Sequence, residues 1–435
     1  MKRRVYFRTG FFFFLTLLLA SVVFAGDGQI DILPNGSSTF TISESGSYVL
    51  TGNVTMTADV NCIDVTAGNV TLDLGGHSLS GMGENSYGIF ANNAYYFVLK
   101  NGCVRGFGKD GVFAAGHAHM EDVNVIGCKR YGIQISHDTR LYNVMSTGNG
   151  NSGIYGYASR CIVENCKADS NGNSGISVAG ISLGECSVIR GCVVSGNSSG
   201  NTSANINIYG IEVGSGSLIV NNICEQNSNK TTWDGGACYG IYTGSGSVVK
   251  NNVCRGNSAD NTGTDVYGIK TGSNCIIQGN TVENNRAIGN SGRSIGVFAG
   301  HSSQIKDNVC AVNSTTKDDS EAVGIEAAGF CRIMNNNCRG NEGIASSTGI
   351  FLNGDACRVE NNYSVGHVDG DSAAGIALKA PSSSSAVIRN NSHGNKVGID
   401  LGNGEHYCAE NMVTDKIVNT TNVTMGTGDR SNVTY

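Results

Sequence analysis

"YGIYTGSGSVVKNNVCRGN", residues 239–257, decides how the rest of the chain reads. It has no helical stripe and no charge cluster, and two asparagines press against a Val-Cys pair. Within twenty to thirty residues on either side the line returns. "YGIEVGSGSLIVNNICEQN" starts at Tyr209 and "YGIKTGSNCIIQGNTVENN" at Tyr267. "IGVFAGHSSQIKDNVCAVN" follows from Ile295 and "VGIEAAGFCRIMNNNCRGN" from Val323. The glycine of "GI" or "GV" recurs at Gly88, Gly111, Gly132, Gly153, Gly175, Gly210, Gly240, Gly268, Gly296, Gly324, Gly349, Gly375 and Gly398. A period this short, with β-branched residues close together and no helical pattern, predicts a β-solenoid.

The central coils align column by column. One residue past the glycine stand Ile211, Ile241, Ile269, Val297 and Ile325; nine past it, Ile219, Val249, Ile277, Ile305 and Ile333. Each column reads as the inward face of parallel strands stacked one coil above the next. Twelve past the glycine come Asn222, Asn252, Asn280, Asn308 and Asn336; seventeen past it, Asn227, Asn257, Asn285, Asn313 and Asn341. Asparagine tolerates the left-handed backbone of a sharp turn, and stacked amides bond to their copies above and below. "NNVC" is thus a corner followed by a core residue.

The chain has 435 residues and 16 cysteines. It opens on "MKRRVYFRTGFFFFLTLLLASVVFA", the basic start, short apolar run and small-residue end of a signal peptide, so an exported chain starting near Gly26 is expected. The apolar run is short for a bilayer span. Removing Lys2, Arg3, Arg4 and Arg8 takes the formal charge from −6 to −10, which leaves no basic footprint for nucleic acid. Cys224, Cys254, Cys310 and Cys338 share one column with Val282, so that column reads as buried thiols filling a core. Bridges between adjacent coils are the alternative.

Alternating "GI" strands, "NN" corners and the first coil "VTLDLGGHSLSG" resemble the right-handed parallel β-helix proteins of the pectate-lyase-like superfamily, over roughly Cys62 to Met412. The resemblance implies an all-β right-handed parallel β-helix of about fourteen coils. A cap would precede it at 26–60, the helix would span 61–412, and 413–435 would close or trail from it. It implies no single activity, because this scaffold hosts polysaccharide lyases, glycosidases, uronate epimerases, adhesins and accessory proteins. "GHAH" at Gly116 and "QIKDN" at Gln304 stand in no matching catalytic context, and Asp318-Asp319 lies in a polar insertion. No cofactor is called for.

Five long loops, 198–208, 228–238, 258–266, 286–294 and 314–322, leave the same corner in consecutive coils. Repeat proteins commonly carry such insertions on the binding face. Beside them Glu212, Tyr242, Lys270, Phe298 and Glu326 are expected to point outward in a row. Rings to stack on and charges for hydroxyls or carboxylates are the composition of a polysaccharide groove. Lys270 or Tyr242 would be the base of a uronate elimination or epimerisation. A structural or adhesive surface protein is the rival reading. His117, His119 and His137 supply a third, metal-linked accessory reading, since some proteins of the resembled group process copper. Asn53, Asn69 and Asn422 open Asn-x-Ser/Thr triplets that read as turn chemistry.

Overall fold

The structure is a computed structural model describing residues 28–418 apart from 173–176, 201–205, 232–234, 371, 380–383 and 403–404, together with the backbone of 423–425 and 433–434. The leader at 1–25, Gly175, Asn422 and most of 413–435 lie outside the described residues. The described chain is all-β, a right-handed parallel β-helix of about thirteen turns. A 16-stranded sheet carries the "GI" strands, a 31-stranded ladder covers the other faces, and a 4-stranded ribbon is added at one corner. Strands Gln29–Ile32, Phe40–Ile42, Gly46–Leu50 and Val54–Thr55 already pair in parallel with the coil above, so 28–60 continue the same stack.

Like stacks on like. Ile211 lies opposite Ile241, Ile241 opposite Ile269, Ile269 opposite Val297 and Val297 opposite Ile325, all fully buried. The repeat glycine is required by distance. A Cβ at Gly240 would lie 2.5 Å from the Gly268 carbonyl oxygen, and one at Gly210, Gly296 or Gly324 would meet the next coil at 2.5, 2.5 or 2.6 Å. The register also places a glycine that the spacing did not single out. Ile154 pairs with Ile181 and Ile181 with Ile211, so Gly180 occupies the repeat position between Gly153 and Gly210.

The asparagine columns form two buried ladders. Asn222 Nδ2 donates to Asn252 Oδ1 at 3.0 Å, Asn252 to Asn280 at 3.0 Å, Asn280 to Asn308 at 2.9 Å and Asn308 to Asn336 at 3.0 Å. The run continues through Asn362 and Asn390 to Asn411. The ladder residue is not the one in the left-handed conformation. That is its predecessor: Asn221 (φ 56°), Asn251 (54°), Gly279 (66°), Asp307 (59°) and Asn335 (57°). In "NN" the first asparagine makes the corner and the second turns its amide into the stack.

The second ladder runs from Asn149 to Asn341 and then meets His367. His367 Nδ1 accepts from the Asn341 backbone N–H at 3.3 Å, and the His367 backbone N–H donates to Asn395 Oδ1 at 3.0 Å. Among the described residues the imidazole Nε2 of His367 is buried without a partner. Burial pushes the imidazole down to about 4, below the ordinary 6.5. The unfolded chain therefore binds a proton between these values that the folded chain does not, so stability falls as pH drops through this window. Denaturant titrations at pH 7.5 and pH 5 should show a loss of about 2 kcal/mol attributable to His367. His367→Asn, which restores the ladder amide, should remove that loss. An equal acid loss in the variant would place it elsewhere.

All sixteen cysteines are free thiols, and Cys224, Cys254, Cys310 and Cys338 have no exposed surface. Cys224 faces Cys254, and Cys310 faces Cys338, across neighbouring strands. They fill the core as Val282 does in the coil between, which is the expected packing role of a buried thiol.

Candidate functional site

Outward side chains on the 16-stranded sheet form two columns beside the repeat glycine. Just before it, Tyr209 stacks on Tyr239 (4.9 Å between ring centres, 9°) and Tyr239 on Tyr267 (5.3 Å, 12°). Two residues past it, Glu212, Tyr242, Lys270, Phe298 and Glu326 follow one another in register. The gap-free rise from coil to coil brings equal rings to stacking distance, which is why the tyrosines lie flat on one another.

The five members of the second column have different surroundings. Lys270 is half-buried, with Nζ 4.3 Å from the Tyr267 ring centre, 5.6 Å from Tyr239 and 5.5 Å from Phe298. Burial holds its amine below the usual lysine range, and Asp265 and Glu326 oppose that shift. Glu326 is 1% exposed, paired with Arg293 Nη2 at 2.6 Å. Arg293 comes from the 286–294 loop, one coil earlier, folds over Glu326 and also reaches Glu321 at 3.0 Å. Glu326 thus serves as a buried anchor for that loop. Phe298 lies edge-on to Tyr267.

Glu212 and Tyr242 instead border open space. A groove of about 410 Å³ is lined by Tyr155, Tyr157, Ser182, Glu185, Glu212 and Tyr242, with the turns at Gly184, Gly214 and Gly244. Its cause is one small residue. Tyr155, Ser182, Glu212 and Tyr242 succeed one another in the outward column, and at Ser182 the surface drops between two aromatic blocks. On one side Tyr131 stacks on Tyr155 (4.5 Å, 6°); on the other stands the Tyr209–Tyr239–Tyr242 cluster. The Ser182 hydroxyl donates to Glu212 Oε2 at 2.8 Å. Burial nevertheless raises the Glu212 carboxyl above its usual range. The Tyr239 phenol is pushed up to about 12, chiefly by burial, so it stays a neutral donor.

No described residue of the long loops lines this groove. Their first residues pair in parallel, Ser228 with Ser258, Ser258 with Arg286 and Arg286 with Ser314, and so form the 4-stranded ribbon. Val178, Ile208, Cys238 and Val266 close a small second core against Ala259 and Ala287 beneath it. The ridge is packed down at the start of the strands, and the groove opens at the turns that follow them. Ser182 and Glu185 escape the sequence reading because their coil is aligned there on Gly175; Tyr155 and Tyr157 lie in the Gly153 coil, before the long insertions on which that reading rests. "GISLGE" at Gly180 aligned on "GIEVGS" at Gly210 carries the missing signal.

The histidines separate as well. His117 and His137 meet, with ring centres 5.3 Å apart, whereas His119 lies beside Glu121 at 3.4 Å. Asp138 completes a group with His117 and His137 whose donor atoms all lie within 4.8 Å of one another.

No family model and no curated protein sequence matches this chain. Among solved structures it is similar to the A-modules of two mannuronan C-5 epimerases of Azotobacter vinelandii. Identity is 14% and 13%, with 92% of this chain covered in each case, 90% and 91% of the modules, and TM-scores of 0.37 and 0.36. It is also similar to the Dettilon tailspike protein, at 16% identity over 72% of this chain and 60% of that one, with a TM-score of 0.26.

Proposed function

We propose that this protein is an exported β-helix that binds an extended polysaccharide in the groove between Tyr155 and Tyr242. The groove itself carries the proposal. Two aromatic faces are set three coils apart, roughly 14 Å at the usual inter-strand spacing, with the small Ser182 and the polar Glu212 between them. Aromatic platforms suit the apolar faces of sugar rings, and a few placed polar groups fix their hydroxyls. Glu212, Tyr242, Lys270, Phe298 and Glu326 enter this reading unequally. Glu212 and Tyr242 line the groove, Lys270 lies one coil beyond Tyr242 where a longer glycan would reach it, and Phe298 and Glu326 support the adjoining surface. The leader at 1–25 supports export to a periplasm, a cell surface or the medium.

A glycan array followed by calorimetry tests the proposal. Tyr155→Ala and Tyr242→Ala should each weaken the selected glycan by about 1–3 kcal/mol, the scale of a lost aromatic contact. Unchanged affinity in the double variant would move binding off this groove and favour the structural or adhesive reading.

Processing is a second reading, favoured by one observation. The Lys270 amine is held below its ordinary range by burial, as a proton acceptor near neutral pH requires. Lys270, or Tyr242 one coil away, would then take the proton beside a uronate carboxyl. Lys270→Ala should abolish turnover and leave binding intact.

A further inference from the structure

We propose that His117, His137 and Asp138 form a binding site for one divalent transition ion of the kind imidazole prefers, zinc or copper(II). The site is separate from the glycan groove and does not depend on that reading. Among the described residues these three form the group of metal-binding side chains whose donor atoms converge, within 4.8 Å of one another. Bonds of about 2.0–2.2 Å place donors about 3–4 Å apart, so modest side-chain rotation closes the triangle. Two imidazoles and one carboxylate with positions left open form a donor set for zinc or copper rather than for calcium or magnesium, which take oxygen.

The surroundings orient each donor. His137 Nδ1 lies 3.0 Å from Ser136 Oγ, which leaves Nε2 as the outward donor. Gly116 makes room for that ring, since a Cβ there would lie 2.7 Å from His137 Nε2. Tyr96 stacks on His117 at 5.0 Å and 19°, and His117 Nδ1 lies 3.9 Å from Asp138 Oδ2. Arg160 grips Asp138 with two hydrogen bonds of 2.7 Å. Such partners around metal ligands fix their aim and tune affinity. The Arg160 charge opposes a cation, but its side chain is 60% exposed and so well screened by water.

His117 and Asp138 adopt left-handed φ values of 59° and 57° at one corner of consecutive coils. This conformation belongs to the corner itself, since Arg160, Cys186, Asn274, Ser302 and Phe330 adopt it in other coils, so the two ligands sit in a turn the fold already makes.

The experiment uses tag-free protein titrated with zinc chloride against a chromophoric chelator, and with copper(II) sulfate followed by electron paramagnetic resonance. One ion per chain is expected, with two imidazole nitrogens in the copper spectrum. His137→Ala and Asp138→Asn should each weaken binding on the order of 100-fold or more. Gly116→Ala, which removes no donor but displaces the His137 ring, should also weaken it. His119→Ala should bind like the parent. Absence of stoichiometric binding, parent-like affinity in His137→Ala, or loss of the ion in His119→Ala or in a variant of the exposed thiol, Cys186→Ser, would each overturn the site.

Discussion

Asn280→Ala is expected to lower the unfolding free energy by about 4 kcal/mol, measured by denaturant titration of the full chain. Asn280 Nδ2 donates to Asn308 Oδ1 at 2.9 Å and to the Val249 carbonyl at 3.0 Å. Its Oδ1 accepts from the Asn252 backbone N–H at 2.9 Å and from Asn252 Nδ2 at 3.0 Å. Four buried hydrogen bonds go at once, and the Asn252 N–H is left facing a cavity. Each bond is worth about 1 kcal/mol net, and an orphaned buried donor costs more. Asn280→Asp keeps the shape but should be no better. It loses both donated bonds and sets a carboxylate against Asn308 Oδ1. A cost below about 1 kcal/mol for either change would mean that apolar stacking, not the ladder, holds the coils together.

Gly240→Ala should cost about 3 kcal/mol or more, through overpacking rather than lost bonding. The added methyl would lie 2.5 Å from the Gly268 carbonyl oxygen, 3.0 Å from Asn257 Nδ2 and 3.2 Å from Cys254 Cβ. The first of these is backbone, so relief requires the two coils to separate and the parallel ladder on either side to loosen. Gly246→Ala serves as the control. Gly246 has open space around it and φ of 69°, so only the milder strain of a left-handed alanine applies. Equal thermal shifts in the two variants would show that backbone freedom, not the inter-coil distance, explains the repeat glycine.

These two positions show how much of the fold is written locally. In a parallel solenoid each residue's main neighbour is its own counterpart one coil away, so contacts recur at the sequence period. Columns of Ile, Asn, Gly and Cys are therefore legible without coordinates. The limit shows at the coil after Gly153, where inserted residues shift the period. Aligning on Gly175 hid Gly180 and, with it, the Ser182 step that opens the groove. His119 illustrates a second limit. Alternation along a strand groups His117 with His119, but His117 takes a left-handed turn conformation, which breaks the alternation and aims the ring at His137.

The sequence by itself determined the β-helix, its register through the central coils, the asparagine ladders and the buried thiols, because each depends only on like residues recurring at one coil's spacing. Tertiary structure alone decided where the surface is open. Glu326 looks like Glu212 in the alignment, yet a loop arginine covers one, while the other borders a step left by a serine one coil away. Exposure at a column depends on what the neighbouring coils and loops place over it, and that is a property of the stack rather than of the repeat.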